Sequence, residues 1–341
     1  MSYKVTIKPS GHEFWVETGE AVLDAALRAG CMLPYGCRNG ACGVCLGKVL
    51  TGAVDYPGGR PPALNDRQQA EGKALFCQAR PCSDLLIEAR EISALRDIAV
   101  KTLPCRVMGM DRLAPDVMRL YLKLPATERL QFLAGQYISI LLRENRRRDF
   151  SLANPPHADE YLEIHVRKVP GGEFTTFVFE QLREKAILRF QGPLGSFFLR
   201  EDSQRPVIMM AGGTGFAPIK SMLEQVFYKG IARPIHLYWG ARARQDLYLH
   251  ELPEAWVEKH ANLRYTPVLS EPRSEDDWQG RTGWVHAAVA ADYPDLSTYE
   301  VYMSGPPPMI TAAKPVFTTQ GLPEEYLYYD SFDFAYERTG A

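Results

Sequence analysis

The chain has 341 residues, 46% of them hydrophobic, and a formal net charge of −2. That length argues for two or three domains of ordinary globular composition. The near balance of charge speaks against nucleic acid or an anionic membrane surface as the main partner, and no apolar run reaches the roughly 18 residues that span a bilayer.

Residues 4–8 and 14–17 read as a strand pair around the Pro9-Ser10-Gly11 turn. The alternating start, Met1-Ser2-Tyr3-Lys4-Val5, lacks the charged-then-apolar layout of a signal peptide. Residues 20–29 predict a helix with Val22, Leu23, Ala26 and Leu27 on one face, ended by Gly30. A loop then carries three cysteines. Four residues separate Cys37 from Cys42, two separate Cys42 from Cys45, and Cys77 lies downstream. This is the plant-type spacing for a [2Fe–2S] cluster, which needs four thiolates. Gly36, Gly40, Ala41 and Gly43 let the backbone curl and aim N–H groups at sulfur. Structural zinc favours two close pairs, and a disulfide framework suits a small secreted chain. Cys31, Cys82 and Cys105 fall outside the pattern and read as buried or incidental thiols. Seven cysteines with four in a cluster pattern predict a reducing, cytoplasmic location. Strand-like segments at 48–50, 75–77 and 85–88 complete the order of a β-grasp ferredoxin. Acidic and basic residues balance over 1–93, so docking on a large acidic patch is not expected.

The expected organisation is a first domain over 1–93, a linker over 94–102, a second domain over 103–202 and a third over 203–341. From 105 to 200 about six β-rich segments succeed one another, which suits an antiparallel barrel or a sandwich. Arg148-Asp149-Phe150-Ser151 offers a guanidinium fork for phosphate, an aromatic face and a hydroxyl; a solvated basic run over Arg146, Arg147 and Arg148 is the rival reading. Gly171-Gly172-Glu173-Phe174-Thr175 opens a helical stretch to Leu182, and a helix N-terminus suits phosphate. After 203 the pattern alternates strand and helix, which argues for a parallel sheet with helices on both faces. Its first unit is an apolar run, then Gly212-Gly213-Thr214-Gly215-Phe216-Ala217-Pro218, then a helix, the arrangement that places a pyrophosphate on a helix N-terminus. The spacing is not G-x-G-x-x-G. Arg242, after the next strand, can accommodate a 2′-phosphate or can be a plain surface arginine, so NADH and NADPH both stay open.

On these residues the chain resembles the ferredoxin-plus-reductase flavoproteins, the family of reductase components that serve oxygenases and a sugar dehydrase. The resemblance spans nearly the whole chain, to about Phe334. It implies a β-grasp [2Fe–2S] domain, then an antiparallel FAD-binding barrel, then a parallel α/β nicotinamide domain, so α+β and α/β in one chain. It implies FAD rather than FMN, and a monomer. Arg148, Phe150 and Ser151 are similar to the family's Arg-x-Tyr-Ser flavin signature, with Phe in place of Tyr, and Ser151 would face the ring's N5 edge. Gly171, Gly172 and Thr175 are similar to Gly-Gly-x-x-Ser, and His165, Val166 and Arg167 to a strand beside the flavin. Gly192-Pro193-Leu194-Gly195-Ser196-Phe197 reads better as a structural turn. Gly212, Gly213, Thr214, Gly215 and Pro218 would lie at the nicotinamide. Ser304-Gly305-Pro306 resembles Cys-Gly-Pro beside the hydride-transfer site, with Ser in place of Cys. Phe332, with Phe334 as runner-up, is the candidate ring over the flavin, and plain core packing is the rival reading.

The resemblance thus implies electron flow from NAD(P)H to FAD, to the [2Fe–2S] cluster, to a partner protein. Segments 133–138, 165–169 and 309–313 resemble the sugar-dehydrase reductase, and an oxygenase component is the other acceptor considered. Two further functions stay open: a diaphorase acting on small acceptors, and a redox-sensing interaction module.

Overall fold

The computed structural model describes residues 2–332, which form two compact units, residues 2–99 and Val100–Phe332.

The first unit runs β1 (Ser2–Lys8), β2 (Glu13–Glu17), α1 (Val22–Arg28), β3 (Leu46–Thr51), β4 (Val54–Asp55), α2 (Asp66–Ala70), β5 (Lys73–Leu75), β6 (Arg80–Pro81) and β7 (Leu85–Glu88). Its sheet has the order β2-β1-β7-β3-β5, with β1 parallel to β7. Alternation places Val5 and Ile7 of β1 on the buried face with Phe14 and Val16 of β2. Val22, Leu23, Ala25 and Ala26 of α1 are buried in the same unit. The helix is shorter than the 20–29 expected, and Gly30 closes it in the left-handed region at φ 79°. Burial of four side chains of this size contributes several kcal/mol at about 25 cal/mol per Å².

The second unit holds two cores. Its first half runs β8 (Lys101–Ala114), β9 (Val117–Lys123), β10 (Tyr137–Leu141), β11 (Arg147–Ser151), β12 (Leu162–Arg167), α3 (Glu173–Glu180) and β13 (Ile187–Leu194). The sheet order is β11-β10-β13-β8-β9-β12, all antiparallel. An antiparallel bridge from Leu152 to Ile164 joins the two end strands, so the sheet curls into a barrel. β8 already begins at Lys101, inside the segment expected to be linker. Leu120, Leu122, Ile138, Ile140, Ile164 and Phe190 fill the barrel.

The second half runs β14 (Val207–Gly212), α4 (Phe216–Lys229), β15 (Ile235–Ala241), α5 (Glu251–Lys259), β16 (Leu263–Leu269), β17 (Arg281–Thr282), α6 (Val285–Asp292), β18 (Glu300–Gly305), α7 (Pro307–Thr319) and β19 (Leu327–Ser331). All strands are parallel, in the order β17-β16-β15-β14-β18-β19. One apolar cluster packs α4 and α5 on the sheet, and a second packs α6 and α7, so both faces are covered, as a parallel sheet requires. The chain order reverses between β14 and β18, and a crevice for ligand opens outside the carboxyl ends of strands at such a switch point.

Candidate functional site

In the first unit the cysteine loop leaves α1 through buried Leu33 and Tyr35. Gly40 is required where it stands. Its φ is 83°, and a Cβ there would lie 2.9 Å from Pro61. The loop turns its amides inward: Cys37 N–H donates to Cys42 Sγ at 3.5 Å, and Cys42 N–H donates to Cys37 Sγ at 3.3 Å. The Leu46–Leu75 register of β3 and β5 brings Cys45 beside Cys77, and Phe76 N–H donates to the Cys45 carbonyl at 3.1 Å. Gln78 Nε2 donates to the carbonyls of Arg38 and Cys77, tying the loop to the later segment. The hydrogen bond from Cys42 outweighs burial and lowers the Cys37 thiol to about 6. The neighbouring Cys77 and burial push Cys45 well up. Among the described residues no three His, Cys, Asp or Glu side chains gather as a site for a single ion. Two thiol pairs do gather, which suits a binuclear cluster that takes two protein ligands on each iron.

In the barrel, alternation along β11 puts Arg148 and Phe150 on one face and Ser151 on the other. The Phe150 ring lies 5.4 Å from that of Phe174 on α3, tilted by 48°. The α3 N-terminus borders a cleft lined by Leu142, Gly171, Glu173, Phe174, Thr176 and Phe177. The Arg146 guanidinium pairs with Glu173 beside it. Thr175 Oγ1 accepts from Val169 N–H at 3.1 Å and lies 3.1 Å from the Gly172 carbonyl. Its hydroxyl thus ties the turn that positions the helix start.

At the switch point the chain passes so close to itself that side chains are excluded. A Cβ on Gly215 would lie 2.0 Å from the Ser304 carbonyl oxygen, and Gly305 holds φ 145° against Gly212. Trp239 Nε1–H donates to the Gly213 carbonyl at 3.0 Å, and its ring stacks on Phe216 at 4.0 Å. β18 and β19 pair with Ser304 opposite Asp330. Asp330 Oδ2 in turn accepts from Ser151 Oγ at 3.2 Å. Phe332 N–H donates to the Gly305 carbonyl at 3.0 Å. The three residues expected at the hydride-transfer site, Ser151, Ser304 and Phe332, therefore converge on the carboxyl end of this sheet, with Gly212, Gly213, Thr214, Gly215 and Pro306 around them. Phe334 lies outside the described residues.

The individual surroundings of Ser304 and of the other expected residues differ. Val166 is fully buried in the barrel core. His165 Nε2 lies 2.8 Å from Glu163 Oε1, and its Nδ1 lies 2.9 Å from the Tyr248 hydroxyl. The Val166 side chain is thus held in the core, and both His165 ring nitrogens have protein partners. Pro218 is buried in the first turn of α4. Ser304 is buried, with its hydroxyl unpartnered among the described residues. Arg242 is exposed, with Nε 3.4 Å from Asp246. Lys220 pairs with Glu224 one turn on along α4 at 3.1 Å, and it is also buried against Glu163 at 3.3 Å. Burial opposes ionisation of Glu163, but the hydrogen bond from His165 and the Lys220 charge hold its carboxyl at about 2. Burial lowers His165 below its ordinary value, so it stays neutral. Glu163, Asp330 and Tyr248 are the residues that the sequence reading missed. For Glu163 a signal existed: polar Glu163, His165 and Arg167 alternate with apolar Leu162, Ile164 and Val166, two buried faces on one strand.

Residues 5–82 match the 2Fe-2S iron-sulfur cluster binding domain, residues 104–199 the oxidoreductase FAD-binding domain, and residues 209–315 the oxidoreductase NAD-binding domain. The CDP-6-deoxy-L-threo-D-glycero-4-hexulose-3-dehydrase reductase of Yersinia pestis is 39% identical, over 97% of this chain and 99% of its own length. The reductase component of phenol 2-monooxygenase from Pseudomonas sp. is 38% identical, over 100% of this chain and 97% of its own. Among solved structures an Amycolatopsis cytochrome P450 reductase superposes with a TM-score of 0.79 at 32% identity, covering 97% of this chain and 98% of its own.

Proposed function

The chain belongs to the iron–sulfur flavoprotein reductases, NAD(P)H-dependent oxidoreductases that carry electrons through FAD and a [2Fe–2S] cluster, and we propose how its own residues serve that path. FAD, when bound, supplies the conversion of a two-electron hydride into single electrons that a cluster can carry. Cys37 and Cys42 hold one iron, and Cys45 and Cys77 the other; the thiol pairs and the inward amides support this. Arg148 neutralises flavin phosphate, and the α3 N-terminus with Gly171 and Gly172 receives the pyrophosphate. The Phe150 ring offers an apolar face to the flavin. Ser151 orients the reactive edge through its hydroxyl. The Gly212–Gly215 loop and Gly305-Pro306 admit the nicotinamide between the sheet end and the barrel, with Phe332 as the ring that it displaces.

The observation that carries this reading is the convergence of Ser151, from the barrel, with Asp330 and Ser304, from the nicotinamide half, at the switch point. Positioning of donor and acceptor is the main lever in such a transfer.

The acceptor we propose is a protein, the dehydrase or oxygenase component of a two-part system, as the names of the relatives support. We also place the chain in the cytoplasm. No described helix is long and apolar enough to cross a membrane. The test is an anaerobic titration with NADH, and separately NADPH, followed in the visible spectrum. Bleaching of flavin and cluster bands together is the expected result, and the better donor is named by the same experiment. Bleaching of the flavin alone would leave a diaphorase with an accessory cluster.

A further inference from the structure

Strand β12 has two working faces. Leu162, Ile164 and Val166 enter the barrel core, while Glu163, His165 and Arg167 face the nicotinamide half. Each outward residue meets a different part of that half. Glu163 Oε2 lies 3.3 Å from Lys220 Nζ on α4. His165 accepts at Nδ1 from the Tyr248 hydroxyl at 2.9 Å and donates from Nε2 to Glu163 at 2.8 Å, as one neutral tautomer allows. Arg167 donates from Nε to Asp116 at 2.8 Å, and its Nη2 lies 3.7 Å from Asp246.

The helix side is equally committed. Lys220 Nζ donates to the Ala153 carbonyl at 3.1 Å and to Glu224 at 3.1 Å. Next to it Ser221 Oγ donates to the Asn154 carbonyl at 2.7 Å. Ala153 and Asn154 directly follow Leu152 and the flavin-motif Ser151. Lys220 and Ser221 stand one turn beyond Phe216, where the glycine loop becomes helix.

The Lys220 and Glu163 side chains are only 8% and 9% exposed. A buried ion pair of this kind contributes little net stability compared with apolar packing, but it leaves a buried charge unpaired if either partner moves away. The pair therefore carries geometry more than cohesion.

We propose that Lys220, with Glu163, His165 and Ser221, is a positioning device for hydride transfer, holding the start of α4 and the Gly212–Gly215 loop in register with the Ser151–Asn154 segment. None of these groups touches the reacting atoms. They act through the loop and the segment that do, where a displacement of about 1 Å costs on the order of 100-fold in rate. The proposal rests on the nicotinamide-to-flavin route described above.

The test uses the full chain loaded with FAD and cluster, reduced anaerobically by NADH in a stopped-flow instrument. The variants are Lys220→Met, the charge-balanced double variant Glu163→Gln with Lys220→Met, and Ser221→Ala. Ser221→Ala removes one hydroxyl and no charge, so it keeps the test open if Lys220→Met fails to fold. The readouts are the limiting rate of flavin bleaching, the NADH concentration at half-saturation, the isotope effect with NADH deuterated at the transferred position, and the long-wavelength charge-transfer absorbance with NAD+. The expected result is a limiting rate lowered about tenfold in both Lys220→Met proteins and about threefold in Ser221→Ala. Half-saturation should move by less than about twofold, with a larger isotope effect and a weaker charge-transfer band. Limiting rates within about twofold of wild type in every folded variant would overturn the proposal. So would a charge-balanced variant that regains the wild-type rate, because the pair's charge would then matter only for folding. A wild-type protein that neither NADH nor NADPH bleaches would overturn the functional reading itself, a separate outcome.

Discussion

Ser151 Oγ donates to Asp330 Oδ2 across 3.2 Å, a bond between residues 179 positions apart. It joins the last residue of barrel strand β11 to the last strand of the parallel sheet, so two independently built cores are aligned at one hydroxyl. Ser151 is buried and Asp330 half-buried, so the bond is partly sheltered from bulk water. Removing the hydroxyl in Ser151→Ala is expected to slow flavin reduction by NADH about 100-fold with flavin retained. Asp330→Ala, which leaves the hydroxyl in place but unoriented, should slow it about tenfold. Rapid-mixing absorbance decides the matter, and wild-type rates in both variants would remove Ser151 from the reaction.

The four cysteines are separable from the rest by spectrum. Cys42→Ser and Cys77→Ser each break a different thiol pair, and each should abolish the visible and paramagnetic signature of the cluster while NADH still bleaches the flavin. Cys82, exposed and outside both pairs, provides the control. Cluster loss in Cys82→Ser, or a wild-type cluster spectrum in Cys77→Ser, would contradict the assignment. The cysteine variants should also lower the thermal midpoint of the first unit, because ligand binding contributes to folding.

Ser304 carries a defect that substitution can remove. Its hydroxyl is buried, with no partner among the described residues. Leaving such a group unsatisfied costs about 1–3 kcal/mol. Ser304→Ala should therefore raise unfolding stability by about 1 kcal/mol in urea titration. A loss of stability instead would mean that the hydroxyl has a partner.

His236 makes stability fall with acid. Burial lowers it to about 4, with Arg264 and Arg281 adding to the effect and Asp292 opposing it. Its ring also meets the Tyr293 hydroxyl at 2.8 Å and Thr266 Oγ1 at 2.9 Å. The unfolded chain takes up a proton near the ordinary value of about 6.5, whereas the folded chain refuses it until about 4. Stability is thus lost as pH falls through that window. The buried His165 contributes in the same direction. Urea unfolding at pH 7 and pH 5 should show the drop, and His236→Gln should make it smaller. An unchanged pH slope in that variant would assign the drop to other groups.

Much of the site was legible because its signals are local. The Cys37, Cys42 and Cys45 spacing depends on a tight loop, and the loop is encoded by the residues within it. The glycines at 212, 213 and 215 mark a strand-to-helix turn for the same reason. Alternation in β1, and the alternation of strands with helices after residue 203, announced the sheets. What remained hidden depends on residues distant in the chain. Whether Lys220 lies on a helix surface or under a barrel strand depends on which face of α4 meets Glu163. Which thiols pair depends on the β3–β5 register as well as on spacing.

The sequence by itself determined the modules, their order and the chemical types at each site, because side-chain period, turn residues and ligand spacing act over a few positions. Only the tertiary structure decided that the barrel closes at Leu152 and Ile164, that Ser151 meets Asp330, and that His165 meets Tyr248. Those contacts form when separately folded faces bury their polar groups against each other. Each buried donor must then find whichever acceptor the packing brings within about 3 Å.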